Sequence, residues 1–274
     1  MNKLTKGTLD YPLTVSIAGL PKTGKTTFAA KFPNAFIVDF APVNMGLAHC
    51  EILSDRKYGE SHFSVKEYFK KFTDDPEAEM QKRYRFVKNW KEFLQAIEDA
   101  KAYKKAIYDE AEKTGKEPGA VWLVLDDSYR WRGFTVLRWI ELQQGKKRKS
   151  SGADIMWPAE AEWGLVSQLM SEIMIEMHSE FHLAITHRMK DEYIKNKATG
   201  DLVLQDFPGG IRYTGDITLE VAKEEDEKGK KKRVYKIIWN RFEDDCADDA
   251  IVRIDEDISP IEMLLELHTP EEYL

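Results

Sequence analysis

The chain has 274 residues, of which 42% are hydrophobic and 32% charged, and this length allows one large α/β domain or two small ones with an ample core. No uncharged apolar stretch approaches the roughly 18 residues that span a bilayer, and Cys50 and Cys246 have no disulfide-framework or metal-ligand spacing. The net charge of −7 argues against coating nucleic acid with the whole surface, so these totals predict a cytoplasmic protein without a membrane partner.

The first elements form a strand–helix–strand unit. Residues 1–11 are a short polar lead-in, and the apolar run at 13–18 predicts a buried strand. A glycine-rich turn follows, then a predicted helix at residues 25–31 and a second strand at 35–40. The tight connections are typical of a βαβ unit, which predicts a parallel sheet covered by helices.

Residues 54–118 differ in composition from the segments around them. They are dense in lysine, acidic residues and tyrosine, and apolar residues such as Trp90, Phe93 and Ile97 recur at helical spacing. We therefore predict a mostly helical insertion between sheet strands, within a single domain that covers residues 1–274.

The second half of the chain returns to sheet patterns. Residues 121–125 give the strongest central-strand pattern, and helices are predicted at 131–143 and from Pro158 onward. Another strand is predicted at 181–187, and hairpin-like segments lead to a last strand at 234–239. The sequence thus predicts an α/β fold with a mostly parallel central sheet flanked by helices, a charged helical insertion and C-terminal β-hairpins.

The turn after the first strand matches the phosphate-binding loop pattern G-x-x-x-x-G-K-[ST]. Its two glycines allow a tight turn whose N–H groups face a β-phosphate, and the following helix adds its positive end. Lys25 then reaches the β- and γ-phosphates, and the Thr26 hydroxyl ligates magnesium. The position between a buried strand and a helix favours this interpretation over an accidental glycine turn. The predicted contacts with ATP are Gly19, Pro21, Lys22, Thr23, Gly24, Lys25, Thr26 and Thr27.

Two acidic residues end the strongest strand. Asp126 occupies the position where P-loop proteins place the carboxylate that holds the magnesium shell, and we predict that it serves as a metal ligand with Thr26. Asp127 precedes a predicted helix, so it can cap that helix. Both roles can hold at once.

The order of these motifs resembles a RecA-like ATPase core. The resemblance covers roughly residues 13–245, and it rests on the P-loop, the Leu-Val-Leu-Asp-Asp strand, Ala-Ile-Thr-His at 184–187 and Trp-Asn-Arg-Phe at 239–242. More narrowly, the chain is similar to Sak-type phage recombinases, which are single-domain ATPases associated with single-strand annealing. The resemblance implies a homo-oligomer, either a ring or a filament, in a phage, plasmid or prokaryotic host.

The resemblance also implies roles for individual residues. His187 matches the γ-phosphate sensor that follows the next strand, although a structural strand-end histidine is the alternative. Arg241 matches the arginine of a Lys-x-Arg finger that acts on the neighbouring subunit, whereas the lysine is missing; a surface ion pair is the alternative. The glutamate that usually orients water after the second strand is absent, so either Asp39 or Asp127 takes that role, or hydrolysis is slow or lost.

A basic loop follows the helix after Asp127. In a RecA-like core this loop and the one past His187 face the DNA channel, which would give phosphate contacts without sequence readout. A solvated surface loop is the alternative. The predicted DNA contacts are Lys146, Lys147, Arg148, Lys149, Arg188 and Lys190.

These features predict a magnesium-dependent ATPase that acts on single-stranded DNA in recombination or replication. A single-strand-binding or other replication protein is a further candidate partner. The alternative is an ATPase of the same fold that regulates or assembles protein partners without nucleic acid. A small-molecule kinase fits poorly, because the expected lid region has mixed charge instead of clustered arginines.

Overall fold

The computed structural model describes residues 12–44, 51–53, 55–147, 157–194, 197–204, 215–225, 231–240 and 260. The strands are β1 (Thr14–Ala18), β2 (Phe36–Phe40), β3 (Val43–Asn44), β4 (Glu51–Ile52), β5 (Tyr84–Val87), β6 (Trp122–Asp126), β7 (His182–Thr186), β8 (Met189–Ile194), β9 (Lys197–Leu204), β10 (Ile217–Glu225) and β11 (Lys231–Asn240). The helices are α1 (Lys25–Ala29), α2 (His62–Phe69), α3 (Pro76–Arg83), α4 (Trp90–Thr114), α5 (Ser128–Leu142) and α6 (Trp163–Glu180), and a 3-10 turn covers Glu160–Glu162.

Seven of the described strands form one sheet in the order β11-β10-β1-β7-β6-β2-β5. Neighbouring strands are parallel except for β10 and β11, which form an antiparallel pair. One strand, β7, therefore separates the strand before the P-loop from the strand that ends at Asp126. This is a RecA-like P-loop fold, and the predicted fold class is confirmed.

The sheet is buried on both faces. Every residue of β1, β2 and β6 is buried, as a parallel sheet between two helical layers requires. Alternate residues of β6 enter different hydrophobic clusters, Trp122 and Val124 on one face and Leu123 and Leu125 on the other. The carboxyl ends of β1, β2, β6 and β7 consequently meet at one edge of the sheet, where the candidate site lies.

The insertion over residues 54–118 is largely helical, with α2, α3 and α4 in it. Asn89 begins α4 by accepting a hydrogen bond of 2.9 Å from the Glu92 N–H, and Gly115 ends it with a φ of 65°. The insertion also contains β5, which pairs with β2 at the sheet edge and was not predicted. Its four residues, Tyr-Arg-Phe-Val, are too few for a strand pattern to stand out between two helices.

The C-terminal hairpins are also present, as β8 with β9 and β10 with β11. The second hairpin is part of the central sheet, because β10 pairs in parallel with β1. No helix among the described residues is both long and apolar enough to cross a membrane.

Candidate active site

The P-loop conformation depends on its two glycines. Gly19 and Gly24 have φ values of 151° and 103°, which side-chain-bearing residues rarely adopt. Space imposes a second requirement. A Cβ atom would lie 2.5 Å from the Val221 carbonyl oxygen at Gly19 and 2.7 Å from Arg233 Nε at Gly24. The loop thus packs directly against the β10–β11 hairpin.

Lys25 contacts the main chain of its own loop. Lys25 Nζ donates to the carbonyl oxygens of Gly19 and Leu20 over 2.9 and 2.8 Å. Burial lowers the pKa of Lys25, while the nearby carboxylates of Asp126 and Asp127 oppose that shift. Among the other predicted nucleotide contacts, Pro21 and Lys22 are exposed, Thr23 is buried, and Gly24 and Thr27 are half-buried.

Three hydroxyl groups surround the Asp126 carboxylate. Thr26 Oγ1 donates to Asp126 Oδ2 over 2.9 Å, which joins the P-loop to the end of β6 across 100 residues of sequence. Ser61 Oγ donates to the same oxygen, and Thr186 Oγ1 donates to Oδ1. Thr26 was predicted at this position from the sequence, whereas Ser61 and Thr186 were not. Thr186 directly precedes His187 at the end of β7, a signal that could have found it.

Asp39 lies beside Asp126 on the neighbouring strand β2 and is fully buried. Its Oδ2 accepts hydrogen bonds from Tyr84 Oη over 2.6 Å and from the Ser61 N–H over 3.2 Å. The backbone of Gly59 covers it so closely that a Cβ atom there would overlap the carboxylate. Burial, with the charge of Asp126 added, raises the pKa of Asp39 to about 8. The Asp39 side chain is therefore mostly protonated at neutral pH.

Asp127 caps α5, because its Oδ1 accepts a hydrogen bond of 2.9 Å from the Arg130 N–H. Its Oδ2 accepts from Arg188 Nε over 2.7 Å. Arg188, a predicted DNA contact, is thus ion-paired at the site edge. The water-orienting role that the sequence analysis left open for Asp127 remains a prediction.

Arg130 is a buried cation that the sequence analysis missed. Its Nη2 donates to Glu60 Oε2 over 2.5 Å, and its Nη1 lies 3.5 Å from Asp39 Oδ1. Its guanidinium therefore links the segment before α2 to the buried carboxyl group of β2. Neither Arg130 nor Tyr84 belongs to a sequence motif that predicts this position.

His187 follows β7, as predicted, and its side chain is fully buried. Burial and the charge of Lys25 lower the pKa of His187 to about 3, so the ring is neutral at physiological pH. Any contact of His187 with a γ-phosphate must therefore come from a neutral imidazole. The sensor role stays a prediction.

The remaining predicted residues are the proposed DNA contacts other than Arg188, together with Arg241. Lys146 and Lys147 are exposed and follow the far end of α5, about 20 Å along the helix from Asp127. They are thus distant from Arg188, which the sequence analysis expected on the same side. Lys190 lies in β8. Arg148, Lys149 and Arg241 fall outside the described residues.

A family model described as AAA domain matches residues 11–238. The crystal structure of a KaiC-like protein from the hyperthermophilic archaeon Pyrococcus horikoshii OT3 is similar at 14% identity and a TM-score of 0.38, covering 88% of this chain and 83% of that chain. No curated protein matches the sequence significantly. The family match includes every described residue of the site.

Proposed function

Because the chain belongs to the AAA domain family and is a P-loop ATPase of RecA-like fold, we propose that it hydrolyses ATP with magnesium and acts on single-stranded DNA in recombination or replication. The observation that carries the magnesium-dependent part is the 2.9 Å hydrogen bond between Thr26 Oγ1 and Asp126 Oδ2. It brings the P-loop hydroxyl and the strand-end carboxylate to one point, the arrangement that a P-loop metal site requires.

The phosphate chain of ATP binds at the P-loop. Lys25 exchanges the carbonyl oxygens of Gly19 and Leu20 for β- and γ-phosphate oxygens, which are stronger partners because they are charged. The glycines keep the backbone close enough for N–H groups to approach the phosphates.

Magnesium fits the residues that this site offers. Mg²⁺ prefers hard oxygen ligands and is commonly held by one or two carboxylates together with substrate phosphates. Thr26 and Asp126 would hold it here. When bound, the ion neutralises charge on the phosphate oxygens. Ser61 and Thr186 orient the Asp126 carboxylate through their hydroxyl groups.

Asp39 is the proposed group that orients the attacking water, and Asp127 is its rival. Asp39 can accept a proton only in its ionised form, and its pKa of about 8 places that form in the mildly alkaline range. Both carboxyl groups already have partners, Asp127 in Arg188 and the helix it caps, and Asp39 in Tyr84 and the Ser61 N–H. His187 and, from a neighbouring subunit, Arg241 complete the proposed machinery of an oligomer.

The DNA part of the proposal is supported by the exposure of Lys146 and Lys147 on a segment rich in lysine and arginine. Such cations bind phosphates without reading sequence, as a recombination protein that accepts any single strand requires. The rival function is an ATPase of the same fold that acts on protein partners.

The deciding experiment measures phosphate release by the purified full chain with magnesium, with and without a mixed-sequence single-stranded oligonucleotide. We expect hydrolysis that EDTA abolishes and that the single strand stimulates more than the same sequence as duplex. Lys25→Ala protein defines the background rate. Magnesium-dependent hydrolysis that no DNA changes at any salt concentration would reject the DNA role and favour protein partners.

A further inference from the structure

The β10–β11 hairpin extends beyond the end of β1 and over the P-loop. Strand β10 pairs with β1 up to Glu220, while residues 221–225 continue past it and pair only with β11. This overhang is roughly 15 Å long at the usual rise of a strand. The P-loop begins where β1 ends, and the Val221 carbonyl oxygen lies against Gly19. The overhang therefore forms one wall beside the loop.

This wall places an arginine on the loop. Arg233 stands on β11 opposite Lys223, and its Nε donates to the Thr23 carbonyl oxygen over 3.1 Å. Its guanidinium lies alongside Gly24, where an added Cβ atom would be 2.7 Å from Nε, 2.8 Å from Cζ and 3.0 Å from Nη2. The φ of 103° favours glycine at position 24, and the absence of a side chain there leaves room for this close approach.

The chemistry of this group suits a phosphate ligand. A guanidinium is charged at all physiological pH values and presents five donors in a planar fork that matches phosphate oxygens. Its Nε bond to Thr23 anchors the fork at the loop. Lys22 and Lys25 are the cations of the loop itself, and Arg233 adds a third positive charge beside them.

We propose that Arg233 is a nucleotide-binding residue of its own subunit, which contacts the phosphate chain of a nucleoside triphosphate at the P-loop. The proposal rests on the nucleotide binding proposed above. In this proposal the β10–β11 hairpin positions the Arg233 guanidinium at the P-loop. The competing explanation is a purely structural clamp, in which Arg233 only fixes the Thr23 carbonyl group.

The two explanations differ in how the number of phosphates affects binding. A clamp supports the loop for every nucleotide, so its loss weakens ATP and ADP binding equally. A phosphate contact carries charge, so its loss weakens triphosphate binding more. Arg233→Gln is the sharpest variant, because glutamine retains an N–H donor for Thr23 and removes the charge.

The experiment measures the dissociation constants of adenylyl imidodiphosphate and ADP for the full chain by calorimetry. We expect Arg233→Gln to weaken the triphosphate analogue about tenfold or more and ADP clearly less, on the scale of one charged hydrogen bond. Arg233→Lys keeps the charge, so it should retain most of the preference for the triphosphate, and it serves if the glutamine variant fails to fold. The matched control is Lys232→Gln, an exposed neighbour on the same strand, which should stay within about twofold.

Equal weakening of both nucleotides, or unchanged binding in Arg233→Gln, would overturn the proposal. In either case wild-type binding that Lys25→Ala abolishes would leave the proposed function intact. If wild-type protein bound neither nucleotide, or if Lys25→Ala bound both normally, the proposed function itself would fail, and this inference with it.

Discussion

The candidate site consists of a phosphate half and a carboxylate half, which differ in charge and in how the chain supplies them. The phosphate half comprises residues 19–26 with Arg233, and Lys25 and Arg233 both donate to main-chain oxygens of the loop. The carboxylate half comprises Asp39, Asp126 and Asp127 at the ends of two neighbouring strands, and all three are buried. One half is a short contiguous segment with one addition, and the other is assembled from the sheet.

The two halves differ in what determines the charge of their side chains. Burial lowers the pKa of Lys25 and the carboxylates of Asp126 and Asp127 oppose that shift, whereas adjacent buried carboxylates cannot all ionise cheaply. The protein meets this cost with hydroxyl donors around Asp126, an ion pair for Asp127 and a raised pKa for Asp39. The carboxylate half is therefore the part of the site whose charge depends on pH.

The largest effect is expected from removing Lys25, the lysine of the phosphate half that is predicted to bind two phosphates. Lys25→Ala removes the ammonium that neutralises two phosphates, so ATP affinity should fall about 100-fold or more while the fold is retained. Calorimetry with a non-hydrolysable ATP analogue measures the affinity, and circular dichroism checks the fold. The control is Lys116→Ala, an exposed lysine beyond α4. Wild-type affinity in Lys25→Ala would show that this half does not bind phosphate.

The next largest effect is expected at Asp126, the proposed metal ligand of the carboxylate half. Asp126→Asn keeps the shape of the side chain and removes its charge, so magnesium-dependent hydrolysis should fall by about 100-fold while ATP binding changes much less. Thr26→Ala should show the same split, with a smaller loss. Phosphate release is titrated against magnesium concentration. If either variant lost ATP binding and hydrolysis in parallel, the residue would belong to the phosphate half.

The third prediction concerns which carboxylate, Asp39 or Asp127, orients the attacking water. Asp39→Asn should lower turnover by about 100-fold, the scale of a lost general base, and retain ATP affinity. Because burial raises the pKa of Asp39 and only its ionised form accepts a proton, wild-type turnover should fall as pH is lowered. The pH–rate profile of both proteins is the measurement. Normal turnover in Asp39→Asn, together with a loss in Asp127→Asn, would assign the role to Asp127.

The same carboxyl group predicts a pH dependence of stability. The folded-state pKa of Asp39 lies above the ordinary value of 3.8 for aspartate, so its protonated form contributes stability that is complete below about 3.8 and is lost as pH rises through about 8. The wild-type free energy of unfolding should fall in this window by up to about 1.4 kcal/mol per pH unit from this group. Denaturant titrations from pH 5 to 9 test it. Asp39→Asn should flatten the curve, and an unchanged slope would contradict the raised pKa.

The smallest effect concerns neither half of the site. Replacing Lys146 and Lys147 with glutamine should reduce the salt dependence of single-strand binding by about 0.7 in log–log slope for each lost phosphate contact. Fluorescence anisotropy across a salt series gives the slope. Lys113→Gln with Lys116→Gln is the matched control, two exposed lysines at the end of α4. An unchanged slope would leave the basic segment as solvated surface.

The phosphate half and the strands that frame the site could be predicted from local sequence patterns. Residues 19–26 carry their chemistry within eight positions, and hydrophobic runs identify buried strands wherever both faces of a sheet are covered. Asp126 was predicted for the same reason, because it directly ends such a run. Strand β5 was missed, since a short edge strand has no such pattern.

Tertiary structure alone decided the surroundings of the carboxylates and the approach of Arg233. Ser61, Tyr84 and Arg130 contact Asp39 or Asp126 across 22 to 91 residues of sequence, and Arg233 reaches Thr23 across 210. No local pattern encodes these distances, because they follow from which strands become neighbours in the sheet. The pKa of Asp39 depends in turn on complete burial beside a second carboxylate, a property of the folded chain and not of the residue.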